Sequence, residues 1–323
     1  MEDVQQLLSV FVLTAAASVL VGTIAIPVLT RLKFAQYVRD DGPARHFKKA
    51  GTPTMGGIIF LIPLVLITFF FVGYSTQVAT AAVVTLGYGI IGFVDDFIKI
   101  ALKRPLGLRA RYKLVGQVIL AFLLGLFTIF YLNNGTDIYI PFIDYNLDMG
   151  YLYFPFILLV LVGSTNAVNI TDGLDGLAAG TTIFTAVGFA FVSLLLDKPD
   201  LAVFATSLAG GCLGFLVFNF HPAKVFMGDT GSLALGGGLA SIAVLTGTEL
   251  LLLIIGGIYV IETLSVIIQV ISFRLTGRRV FLMSPLHHHF ELKGWEEEHI
   301  VIYFWFASAV FSVLGVLALF YFI

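Results

Sequence analysis

The chain of 323 residues is 59% apolar and only 12% charged, where a soluble domain carries roughly 25% charged residues, and its mean hydropathy is +0.99. Too few solvated groups are present to coat a globule of this size, which excludes a soluble enzyme, a disordered chain and a nucleic-acid binder and specifies an all-α polytopic membrane protein. The formal net charge of −2 carries less information than the placement of the charges.

A bilayer core takes about 20 apolar residues per helix, and ten stretches meet that need: 6–29, 55–73, 78–94, 114–132, 151–168, 176–196, 201–219, 231–247, 250–273 and 299–323. The first follows Met1-Glu2-Asp3 and precedes Arg31 and Lys33. That charge order is opposite to a cleaved signal, so the segment is expected to be a retained span. In the third stretch, Gly87, Gly89 and Gly92 match the spacing of a dinucleotide fingerprint. No strand precedes them, so they are expected to let helices pack closely, as are Gly210 and Gly214 in the seventh. Between the fourth and fifth stretches, Ile138, Ile140 and Phe142 alternate before a turn near Asp144–Asn146, which predicts a small outer β-hairpin. The ninth stretch holds Gly256-Gly257 and then Glu262, the one acidic residue placed mid-span. Glu262 is either a functional group at depth or, if the helix bends at the glycines, a group nearer to water. The single cysteine, Cys212, excludes a disulfide framework. No repeat or linker divides residues 1–323, which read as one integral membrane domain.

Ten alternating spans place 30–54, 95–113, 169–175, 220–230 and 274–298 on one side. Of the 18 Lys and Arg residues, six lie in the first of these segments, six in the second, one in the fourth and four in the fifth, leaving only Lys198 on the opposite face. Positive charge marks the cytoplasmic side, so both termini are expected outside.

On that side the acidic residues gather in patterned clusters. Asp95-Asp96 closes the third stretch. Adjacent helical residues point about 100° apart, so one carboxylate can face a cavity while the other binds a basic group or a metal. Asn169, Asp172 and Asp175 are spaced by three with Gly173 and Gly176 among them and no basic residue beside them, which suits a cation or the donor groups of a ligand. Capping of the sixth span explains Asp175 alone. Asn219, His221, Lys224, Phe226 and Asp229 form a third cluster. Asp229, between glycines at a helix start, fits a phosphate or Mg²⁺ locus. The last inner loop carries His287-His288-His289. Consecutive rings diverge, so binding phosphate or an attacking group suits them better than zinc. Carboxylates, a Mg²⁺-compatible centre and ringing Lys and Arg at one end of the bundle fit phosphoryl transfer from a soluble donor to a membrane-bound acceptor. A transporter would place its ionisable groups near the midplane.

Pro53-Thr-Met-Gly-Gly57, Val94-Asp-Asp96, Asn169-Ile-Thr-Asp-Gly-Leu-Asp-Gly176, Phe226-Met-Gly-Asp-Thr-Gly-Ser232 and Pro285-Leu-His-His-His-Phe-Glu-Leu-Lys-Gly294 resemble, in order, the phospho-N-acetylmuramoyl-pentapeptide transferase branch of the polyprenyl-phosphate N-acetylhexosamine-1-phosphate transferases. The resemblance implies transfer of phospho-MurNAc-pentapeptide from UDP-MurNAc-pentapeptide to undecaprenyl phosphate, giving lipid I and UMP with Mg²⁺. It implies ten spans in the bacterial cytoplasmic membrane, an active site on the cytoplasmic face and a homodimer. By position, Asp229 would ligate Mg²⁺, and Asp95 and Asp96 would serve the lipid phosphate, with Asp95 as base. Lys49, Asn169, Asp172, Asp175, Asn219 and Phe226 would line the uridine-diphosphate pocket, Phe226 as a stacking surface for uracil. Lys113 would face the phosphates. His287, His288 and His289 would line the sugar and phosphate side, His288 among the catalytic residues. A bent ninth span would leave a groove for the prenyl chain. Attack by the lipid phosphate and prior attack by an aspartate both fit these residues. A sibling enzyme using UDP-N-acetylglucosamine differs at the last inner loop.

Overall fold

The computed structural model describes residues 2–32, 34, 51–102, 107–143 and 145–320. Twelve helices are formed among them: α1 (Glu2–Arg31), α2 (Ile58–Val72), α3 (Thr76–Ala101), α4 (Ala110–Phe130), α5 (Tyr153–Thr171), α6 (Leu177–Leu195), α7 (Pro199–Asn219), α8 (Gly228–Thr246), α9 (Leu251–Ile255), α10 (Gly257–Thr276), α11 (Leu286–Leu292) and α12 (Glu297–Phe320). Eight of the described helices are long and apolar enough to cross a membrane, making this a multi-pass membrane protein. Two further stretches expected to span are also helical. One, α2, is short at 15 residues, and the other, α8, is rich in Gly, Ser and Thr.

That composition suits the place α8 occupies. Every residue from Thr230 to Thr246 is buried, and the helix packs against α3, α5, α6 and α7. A helix enclosed by other helices needs small residues rather than a lipid-facing apolar coat. The third-span glycines serve this packing as expected. At Gly92 a Cβ would collide with the backbone of Asp229 at the head of α8. Gly210 and Gly214 likewise let α7 approach the backbone of α1.

The hairpin is present as β1 (Asp137–Ile140) and β2 (Tyr145–Asp148), antiparallel with Asp137 opposite Asp148. Ile138 is its buried anchor, and the Tyr139 N–H donates to the carbonyl of Gly247, fastening the hairpin to the end of α8. Below it lies a polar pocket of side chains: buried Glu249 accepts from the Tyr153 hydroxyl at 2.9 Å, and Lys198 donates to the carbonyl of Leu245.

Two boundaries differ from expectation. The third helix continues seven residues past 94, to Ala101. The ninth span is divided at Gly256 into a five-residue piece, α9, and the 20-residue α10, which is the bend the paired glycines suggest.

Candidate active site

Because α3 runs on to Ala101, Asp95 and Asp96 sit within a helix rather than at its end, and both are about 2% exposed. Their side chains diverge as adjacent helical residues must. Asp96 turns to α8 and accepts from the N–H of Asp229 (3.2 Å), the N–H of Thr230 (2.9 Å) and the Thr230 hydroxyl (2.8 Å). It caps the first turn of α8 from a neighbouring helix, where a carboxylate also meets the positive end of the dipole. Asp95 turns the other way. Its Oδ2 lies 2.5 Å from Lys99 Nζ, one helical turn on, and its Oδ1 accepts from the N–H of Leu108 at 2.9 Å.

Asp229 is the most open of the three acids, with a side chain 16% exposed. Its Oδ2 receives Lys113 at 2.7 Å and Lys99 at 3.1 Å. Its Oδ1 receives the Asn169 amide at 2.9 Å, and the same amide reaches Ser232 Oγ at 2.8 Å. Four helices therefore converge on one carboxylate. Asp95, Asp96 and Asp229 each offer an oxygen within 4.8 Å of the others. A set of hard oxygen donors at this spacing fits Mg²⁺, which takes one or two carboxylates and completes its shell with water and phosphate. The two lysines supply the positive charge a diphosphate needs.

The loop between α5 and α6 forms the second side. Asp172, half-buried just past the end of α5, has its carboxyl held well above the usual range by burial and then by the nearby Asp229, Asp96 and Asp175. Asp175 does not cap α6. Gly176, at φ +81°, precedes that helix, and the Asp175 carboxylate instead accepts from His221 Nδ1 and the Ala223 N–H, both at 3.1 Å. Glu297, at the start of α12, accepts from the Asp175 N–H at 2.7 Å and lies 3.4 Å from His221 Nδ1. His221, isolated in the sequence, thus joins two carboxylates. The Asn219 amide is spent on backbone, accepting from the Gly176 N–H and donating to the Val225 carbonyl. Phe226 is tied to Pro53 and Gly56 through its backbone, with its ring half-buried.

The third side is the last inner loop, which folds back onto α10. Gln269 Oε1 accepts from the N–H groups of Val280 and Phe281, each at 3.0 Å. Glu262, wholly buried, accepts from the Leu286 N–H through Oε2 (2.7 Å) and from the His287 N–H through Oε1 (3.2 Å). The three histidines do different things. His287 is buried, with Nδ1 3.1 Å from Glu262 Oε1 and Nε2 turned to Gly173. His288 Nδ1 lies 2.6 Å from Glu291 Oε2. His289 Nδ1 accepts from the Leu282 N–H, inside the loop, and burial followed by the charge of Lys293 lowers its pKa. The triplet is not a metal cluster. Among the described residues, the groups able to hold an ion are the three aspartates and Asp175–His221–Glu297.

The structure thus brings Asp95, Asp96, Lys113, Asn169 and Asp229 into one centre, with Asp172 electrostatically coupled to it and His287 against the same loop. Asp175 and Asn219 stitch the surrounding loops. Lys49 lies outside the described residues. Sequence reasoning missed Lys99, Thr230, Ser232 and Glu297 as members of these networks. The i,i+4 spacing of Asp95 and Lys99 was a usable signal; Glu297 offered none.

Comparison with known proteins finds the glycosyl transferase family 4 over residues 78–247 and the phospho-N-acetylmuramoyl-pentapeptide-transferase signature 1 over residues 49–61. Proteins named phospho-N-acetylmuramoyl-pentapeptide-transferase are similar over nearly the whole chain. That of Desulfitobacterium hafniense is 54% identical, covering 93% of this chain and 94% of its own. That of Desulforamulus reducens is 56% identical (93% and 92%), and that of Bacillus subtilis 52% identical (93% and 93%).

Proposed function

The chain belongs to the phospho-N-acetylmuramoyl-pentapeptide-transferase family, and from that membership we propose how its own residues carry out the transfer. It is a membrane transferase of peptidoglycan synthesis, making lipid I. The donor is UDP-MurNAc-pentapeptide and the acceptor undecaprenyl phosphate, on the cytoplasmic face of the bacterial inner membrane. The basic-residue count, together with eight helices long enough to span and the further helices α2 and α8, supports a reading of ten spans with both termini outside. The homodimer is carried by the family resemblance alone.

The observation that carries the reading is the Asp229 carboxylate, held by Lys99, Lys113 and Asn169 beside Asp95 and Asp96. Lys99 and Lys113 bind the diphosphate and offset its charge. Asp95 receives the proton of the acceptor phosphate when that phosphate arrives protonated. An oxygen of the acceptor phosphate then bonds to the sugar-linked phosphorus as the bond from that phosphorus to the oxygen of UMP breaks, and UMP leaves. Asp229, with Asp95 and Asp96 near, would hold Mg²⁺, which when bound neutralises charge on the diphosphate and polarises its phosphorus. Direct attack is favoured over an aspartyl intermediate because Asp95 and Asp96 are buried and both are engaged by hydrogen bonds. Phe226 offers a half-open ring for uracil.

UMP release in detergent with undecaprenyl phosphate and Mg²⁺, from UDP-MurNAc-pentapeptide and UDP-N-acetylglucosamine side by side, tests this reading. Release with the first alone supports it. Release with the second alone overturns the donor assignment, and release with neither from folded protein overturns the chemistry.

A further inference from the structure

An acid buried among lipid-facing helices is costly unless its oxygens are answered. Glu262 is wholly buried in α10, five residues beyond the start of that helix at Gly257. Its Oε2 takes the Leu286 N–H and its Oε1 takes the His287 N–H, which is all that capping α11 requires. Yet Oε1 also lies 3.1 Å from Nδ1 of the His287 ring. One carboxylate therefore fixes both the backbone and the side chain of the same residue. A carboxylate only accepts, so the shared proton sits on Nδ1, and in the neutral ring Nε2 is then the acceptor.

That Nε2 is buried and has no partner among the described residues. It points at Gly173, where any Cβ would strike it. Gly173 lies between Asp172 and Asp175 and four residues from Asn169, whose amide binds Asp229. A buried acceptor left unsatisfied is costly, so this atom calls for a partner from outside the described residues, a water, an ion or a group of a ligand.

Building on the proposed function, we propose that Glu262 is a positioning residue for the donor substrate: it holds His287 so that Nε2 accepts a hydrogen bond from a hydroxyl or amide N–H of the donor's N-acetylated sugar. The acid at membrane depth thus works through the ring it orients.

Steady-state kinetics of the full-length detergent-purified enzyme, for Glu262→Leu, Glu262→Gln, His287→Ala and the two double variants, test this. Glu262→Leu should lose roughly tenfold in kcat/KM for the donor, the worth of one strong hydrogen bond, with the acceptor KM unchanged. Glu262→Gln, which keeps an acceptor oxygen, should recover most of that loss. In the His287→Ala background neither change should cost anything further. Equal losses in both backgrounds, or a lowered Tm with unchanged donor kinetics, would overturn the proposal while leaving His287 in the site. Wild-type kinetics in His287→Ala would overturn the placement of His287 and the proposal with it. If Glu262→Leu fails to fold, the isosteric Glu262→Gln supplies the cycle through its smaller loss, a loss that vanishes in the His287→Ala background supporting the proposal and an additive one overturning it.

Discussion

Asp229 gathers Lys99, Lys113 and Asn169 on two oxygens, so an amide in its place keeps the shape and removes the charge the lysines answer. Asp229→Asn and Asp95→Asn are each expected to lower UMP release about 10²-fold or more, with Tm measured alongside to show that the fold persists; full activity in either would remove that residue from the mechanism. Near the hairpin, burial first of all pushes the Glu249 carboxyl up to about 7 from its ordinary 4.5, against the weaker pull of its hydrogen bonds and of Lys198. Between those values the folded chain keeps a proton that the unfolded chain has released. The stability this confers is whole below about 4.5 and is lost as pH rises through about 7. Melting temperature should accordingly fall across that window, and Glu249→Gln should flatten the slope. The acids of the centre could be read from the sequence because carboxylates clustered with Gly and Asn at one end of a span are costly to place there unless they bind a cation or a ligand. Lys99 was hidden among the basic residues that topology already accounts for, and the role of Asn219 was hidden because a polar residue beside a motif looks the same whether it meets ligand or backbone.

Among elements, the α3–α8 contact sets the geometry of the centre. It depends on Gly92, since a Cβ there would press on the Asp229 backbone, and on Asp96, which grips the head of α8. Gly92→Ala should lower stability by roughly 1–3 kcal/mol through overpacking and reduce turnover. Gly163→Ala in α5, where nothing lies within 4 Å, should leave both untouched; thermal melts and UMP release on the pair check this. The ten helical segments and the hairpin were visible as runs of apolar residues and alternation, while the division at Gly256 was one of two readings the paired glycines and Glu262 left open. The continuation of α3 to Ala101 was not visible, because its last turns carry Asp95, Asp96 and Lys99, whose charges are answered by one another and by α8. Nor was α11, a seven-residue helix whose N-terminus is satisfied by Glu262, far from it in sequence.

For the whole molecule, orientation is the property to measure. The only cysteine, Cys212, is fully buried, so the natural chain is already a silent background for thiol labelling. Tyr151→Cys, at a position 95% exposed beside the hairpin, should react with an impermeant maleimide in intact spheroplasts. Lys293→Cys, exposed in the last inner loop, should react only after lysis. The reverse pattern would invert the assignment of faces. The expectation comes from the sequence alone, because alternating the ten stretches puts 17 of the 18 basic residues on one side, whereas which helix is enclosed depended on the small residues of α8.

The division of the ninth span makes α10 an arm about 30 Å long with its pivot at Gly256. The loop bearing the histidines is clasped to that arm by Gln269 and Glu262 and so travels with it. A swing of ten degrees would carry the free end by about 5 Å, but a point as near the pivot as Glu262 by only about 1 Å. Were the arm to swing as a membrane thickened or thinned, its tip would follow the lipid while His287 stayed almost still, much as the part of a door beside its hinge hardly moves when the handle swings.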